Sequence, residues 1–205
     1  MPTAPDHHRS MSSAPDHVAS PAQLLEAGLA HHRAGDMASA ARCYQLALER
    51  APGDARGWHL LGLTHAQAGN AADAKALFLR ALAIDPAYAE AHYDLGNLHN
   101  RIGQNAEAVA SYRAAVLAEG PWRAKAWNEL GTVLNRLGET DAAIAAWREA
   151  LAIEPARIDT RYNLARALHQ TGALDDAVTA YRAVLSAQPR HREAKQGLEA
   201  ASRRI

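Results

Sequence analysis

Eleven histidines and a single cysteine are the side chains of this chain with the most obvious chemistry, and metal binding is what they first suggest. His31, His65 and His99 recur 34 residues apart. If the units that carry them stack as helices, equivalent atoms lie about 8–10 Å from one another. Zinc holds each ligand atom at about 2.0–2.3 Å, so these three cannot share an ion and are expected to pack. His7, His8 and His17 could hold a metal only loosely, so no metal and no cofactor is expected. Cys43 is alone, which excludes an internal disulfide and favours a packed, inert thiol. Asp175 and Asp176 start a helical pattern, where negative charge offsets the helix dipole. No glycine-rich loop follows a strand pattern, and no serine or cysteine sits in a nucleophile motif. Catalysis is unsupported, and the chain is expected not to be an enzyme.

The elements that would position these residues announce themselves by period. Glycines stand at Gly28, Gly62, Gly96 and Gly131, with Ala165 completing the row, and a second row runs Gly35, Gly69, Gly103, Gly138 and Gly172. Prolines follow at Pro52, Pro86, Pro121, Pro155 and Pro189, and each row steps by 34 residues with one step of 35. A fixed period of this size marks a solenoid, in which a unit hides its apolar face only against neighbouring units.

Within one unit, Trp58, Leu61, Gly62 and His65 draw one stripe down a helix. Gly69 can take the left-handed conformation that closes it. Ala74, Phe78, Ala81 and Leu82 draw a second stripe, stopped at Asp85-Pro86 because proline disfavours helical geometry in the residue before it. Two antiparallel helices follow, with Gly62 expected to face Ala74, and with Trp58 and Phe78 expected to fill the space between pairs.

With these residues in view the chain resembles the tetratricopeptide repeat (TPR) family. Its fourth unit carries Trp127, Leu130, Gly131, Ala143, Trp147, Ala150 and Pro155, and its third Leu95, Gly96, Ala108, Tyr112 and Ala115. The resemblance implies an all-α, right-handed superhelical solenoid of five repeats, 21–54, 55–88, 89–123, 124–157 and 158–191, capped by a helix over 192–205. His92 and Arg161 replace the first aromatic, and one extra residue makes the Gly120-Pro121-Trp122 corner irregular.

In such a superhelix the first helices line the inner curve, and family positions then give a candidate peptide-binding groove: Arg56, His59, Tyr93, Asn97, Asn100, Arg101, Asn128, Thr132, Asn135, Arg136, Tyr162, Asn163 and Arg166. Asparagine costs a few tenths of a kcal/mol in a helix, roughly, and its amide both donates to and accepts from a peptide backbone. The competing reading is an ordinary solvated face. Six basic residues (Arg33, Arg56, Arg101, Lys125, Arg136, Arg166) oppose five acidic ones (Glu26, Glu90, Asp94, Glu129, Asp159), so a count of charges selects no strongly acidic ligand. The lysine–asparagine clamp of chaperone-binding relatives is missing. Only Asn163 matches the regular asparagine row of O-linked N-acetylglucosamine transferases.

Residues 1–20 carry no periodic apolar pattern and are expected to be a disordered tail, without the features of a signal peptide. No apolar run is long enough to span a membrane. Lysine plus arginine equals aspartate plus glutamate at 22 each, so no global field draws nucleic acid or a membrane surface. The expectation is a cytoplasmic, non-catalytic adaptor or scaffold that binds a protein or peptide ligand. The alternatives are a scaffold that self-assembles into homo-oligomers through its terminal repeats, where Leu24, Leu25 and Leu29 could leave apolar area open, and a substrate-presenting accessory of a separate enzyme such as a glycosyltransferase.

Overall fold

A computed structural model describes residues 19–205, so the reading of 1–18 as a tail, with its His7, His8 and His17, lies outside the described residues. Among the described residues there are eleven helices and no strand. They pair as α1 (Pro21–Arg33) with α2 (Met37–Arg50), α3 (Ala55–Gln67) with α4 (Ala71–Ile84), and α5 (Ala89–Arg101) with α6 (Asn105–Ala115). Next come α7 (Arg123–Arg136) with α8 (Thr140–Ile153), α9 (Ile158–Thr171) with α10 (Leu174–Ala187), and the final α11 (Arg192–Ser202). Each helix packs on the next, and the first helices also meet along one side, α3 on α5, α7 on α9 and α9 on α11. That side is the inner face of the stacked pairs.

Local chemistry explains where the helices begin and end. Ser20 and Gln23 form a reciprocal cap on α1, so Ser20 belongs to the first repeat and not to the tail. Asp36 caps α2 and Asp54 caps α3 from one side only, their carboxylates accepting from the Ser39 N–H and from the Arg56 and Gly57 N–H groups. Gly35, Gly69, Gly103, Gly138 and Gly172 all have φ between 77° and 83°, the left-handed turn that their row implied.

The other glycine row serves packing, and here the sequence expectation needs correcting. A Cβ on Gly62 would stand 2.7 Å from the Phe78 ring, so Phe78, not Ala74, is what Gly62 admits. Gly28, Gly96 and Gly131 likewise receive Tyr44, Tyr112 and Trp147. These aromatics fill the space within a pair, because the ring reaches across only where the opposite helix has no side chain. Ala165 breaks the row in the fifth repeat, and Gly197 of α11 takes the end of the Tyr181 ring. Gly197 lies outside the period, so no repeat signal exposes it.

The slot of the first aromatic has a shared bond. Trp58 Nε1 donates to the Pro52 carbonyl at 2.8 Å, His92 Nε2 meets the Pro86 carbonyl at 2.9 Å, and Arg161 Nη2 donates to the Pro155 carbonyl. Residues that looked like departures thus pin the inter-repeat turn as tryptophan does. Trp127 is only half-buried, and its Nε1 finds no partner among the described residues although Pro121 stands six residues before it. The reason is the irregular corner: α6 stops at Ala115, six residues before Pro121, whereas α4 and α8 run to within two of theirs.

Candidate functional site

The thirteen inner-face candidates divide by what their side chains already do. His59 is 3% exposed and lies 2.7 Å from the Asp94 carboxylate and 3.1 Å from the Tyr88 hydroxyl, which donates to Glu90. Burial, with Glu90 beside it, pushes the Tyr88 phenol up. Asn128 is 8% exposed, and its Oδ1 accepts from Thr160 Oγ1 at 2.7 Å while its amide donates to Glu129. Thr132 donates back to the Asn128 carbonyl. His59 and Asn128 are therefore internal fasteners between α3 and α5 and between α7 and α9. Tyr88 and Thr160 complete these networks. They escaped the sequence reading because both stand off the inner positions.

A second group staples successive repeats while staying open to solvent. Arg56 pairs with Glu26 at 3.4 Å, Arg101 donates to the Ala66 carbonyl at 2.9 Å, and Arg136 donates to Asn100 and Asn105 at 2.8 and 3.1 Å. Within the third repeat itself, Asn97 accepts from Tyr112 at 2.8 Å and donates to Asp94. Tyr93 is half-buried with its ring 6.1 Å from that of Tyr112, and burial pushes its phenol up.

The remaining candidates gather at the fourth and fifth repeats. Thr132, Asn135, Trp147, Asn163, Arg166, Ala167 and Gln170 line a cleft of about 110 Å³ between α7 and α9. The Trp147 indole donates to the Asn128 carbonyl and floors it. Asn135, Asn163, Arg166 and Gln170 make no side-chain hydrogen bond to another described residue, so their donors and acceptors are unspent. Arg166 lies 5.8 Å over the Tyr162 ring, and Tyr162 itself stacks against His191 at 4.7 Å. Trp147 looked like packing alone in the sequence, since its slot in the repeat is a packing slot.

The histidine row follows the expectation in two of three places. His99 is 5% exposed between α4 and α6, and its Nδ1 meets Ser111 at 3.3 Å. His65 is half-buried near Asp73, but His31 is exposed beside Asp36. No described helix precedes α1 to cover it. Cys43 is half-buried on α2 beside Tyr44. No helix among the described residues is long and apolar enough to cross a membrane.

Comparison with known proteins supplies the family. Models described as tetratricopeptide repeat match residues 134–201, and 59–121 with 93–158, so that together they span 59–201. The chain belongs to the tetratricopeptide repeat family. Among solved structures, this TPR chain is 26% identical to MamA, covering 81% of this chain and 96% of that one at a TM-score of 0.71. It shares the fold of YrrB, titled a TPR protein with an unusual peptide-binding site, at 23% identity, 78% and 82% coverage and a TM-score of 0.73. PilF of Pseudomonas aeruginosa superposes at 16% identity, 88% coverage of both chains and a TM-score of 0.76. No curated protein matches the sequence. Family and fold together support a protein-interaction scaffold in general terms.

Proposed function

We propose that this TPR protein is a non-catalytic, cytoplasmic adaptor that binds a segment of a partner protein on its inner face, with the cleft between α7 and α9 as its anchor point. The observation that carries this reading is the unspent hydrogen-bonding capacity of Asn135, Asn163, Arg166 and Gln170 around one concave spot. Elsewhere on that face Arg101, Arg136, Asn97, Asn100 and Asn128 already hydrogen-bond to other residues of the chain. A preformed polar cleft on packed helices meets its ligand without an ordering cost on its own side. The self-assembling alternative has less behind it: Leu25 is 4% exposed, and Leu24 and Leu29 are half-buried against the same core.

The test compares Asn163→Ala/Arg166→Ala with an outer-surface control, Arg148→Ala, in affinity purification followed by mass spectrometry. The expected outcome is loss of specific partners from the double variant alone, with both proteins melting as the parent does. Equal recovery from both would remove the cleft from consideration.

A further inference from the structure

In the first, third and fourth repeats an acid and an arginine stand seven residues apart on the first helix: Glu26 and Arg33, Asp94 and Arg101, Glu129 and Arg136. Seven residues are nearly two turns, so each pair shares a face, its members separated by about 10 Å along the axis. Contacts across successive first helices place these residues on the inner face. Glu26 meets Arg56, Asp94 meets His59, Arg101 reaches Ala66 and Arg136 reaches Asn100. Stacking the repeats aligns the three pairs into two interrupted rows, acidic at mid-helix and basic at the helix ends, with Leu60 and Gln67 in these places in the second repeat and Asn163 and Gln170 in the fifth. A bare count of charges makes the groove mixed in sign; placement separates the signs within these three pairs, while Arg56 and Lys125 stand at helix starts and Arg166 inside α9.

The helix dipole accounts for the arginines but not for the acids. α1 and α7 have no acid in their first turn, and Glu26 and Glu129 lie beyond it, where the dipole has faded. The second helices vary: α4, α8 and α10 carry acid in the first turn and no base in the last, α2 ends on Arg50 with no acid at its start, and α6 carries Glu107 and Arg113 at its two ends. Among the described residues Arg33, Arg101 and Arg136 have no carboxylate within 4.0 Å, so their charge is open to a ligand.

We infer that the partner segment is an α-helix with an acidic flank and a basic flank, laid along the groove across successive repeats. This rests on the reading of the inner face as the binding surface. A helix with its side chains is about 10–12 Å wide, which matches the separation of the rows. Adjacent repeats lie about 8–10 Å apart, and a helix advances about 10 Å in seven residues, so it offers the same two flanks to each repeat once per heptad. An extended chain covers that distance in about three residues, an odd number that turns its side chains to the opposite side at every repeat. Only the helix keeps its charges in step with both rows.

The experiment measures fluorescence anisotropy of the full chain with three designed peptides of one length and net charge, each about three heptads long. The first has glutamate on one flank and lysine on the other, the second shuffles them between flanks, and the third is the first with a central proline. The segregated peptide is expected to bind about tenfold more tightly than either of the others, and less so in added salt. Glu129→Arg/Arg136→Glu, which exchanges the rows at constant net charge, is expected to abolish that preference. Arg101→Gln/Arg136→Gln, which keeps donors toward the preceding repeat, is expected to weaken it and guards against a folding defect in the first variant. Equal affinity for segregated and shuffled peptides, or no binding of any of the three, overturns the inference. Partner recovery that still depends on Asn163 and Arg166 would leave the adaptor reading standing while this one falls.

Discussion

Two equivalent tyrosines differ in one hydrogen bond, and the difference sets the sign of a substitution. Tyr112 and Tyr44 are both fully buried, but Tyr112 donates to Asn97 whereas the Tyr44 hydroxyl has no partner among the described residues. Leu29 occupies in the first repeat the place that Asn97 has in the third. A buried polar group without a partner costs about 1–3 kcal/mol. Tyr44→Phe is therefore expected to raise the melting temperature, while Tyr112→Phe lowers stability by about 1 kcal/mol. A denaturation series reads both, and equal signs would contradict the assignment. His99 adds a pH dependence. Burial, aided by Lys75, pushes its ring below the ordinary value of 6.5. The unfolded chain then binds a proton that the folded chain refuses, so stability is full above about pH 6.5 and declines as pH falls toward the folded value. His99→Gln is expected to flatten the fall in melting temperature between about pH 7 and pH 5.

For the helix pairs, the contact of glycine with an aromatic ring is the sensitive joint. A Cβ on Gly96 would lie 2.6 Å from Tyr112, whereas Gly53, in an inter-repeat turn, has nothing within 4 Å. Gly96→Ala is expected to cost about 1–3 kcal/mol by forcing the helices apart. Gly53→Ala should be neutral or slightly stabilising, since it restricts the unfolded chain. Chemical denaturation of the two variants distinguishes a packing glycine from a permissive one, and comparable losses would refute that distinction.

The whole solenoid depends on closing its last apolar face. α11 packs on α10 and α9, burying Ala194 and Ala201 and receiving Tyr181 at Gly197. Deleting 192–205 strips the cover from Tyr181 and the outer side of α10. The expected result is a lower melting temperature together with concentration-dependent light scattering, since an uncovered repeat offers its face to other molecules. A truncated chain that melts and scatters like the parent would show that α11 is no cap.

Repeat period, helix pairing and the left-handed glycine turns were legible in residues alone, because each depends on spacing within one unit: Gly69 closes α3 whatever stands around it. The inner-face candidates came from the resemblance to the repeat family, whose positions assign a side to each residue of the first helix. Which of those residues are free was not legible. Asn128 and Asn163 are one residue type on the same inner side, yet one is buried under Thr160 and the other opens on a cleft. His92 and Arg161 read as departures from a tryptophan but make the tryptophan's bond to a proline carbonyl. Hydrogen-bond partners and burial come from the neighbouring repeat about 34 residues away, so they exist only once the units have stacked.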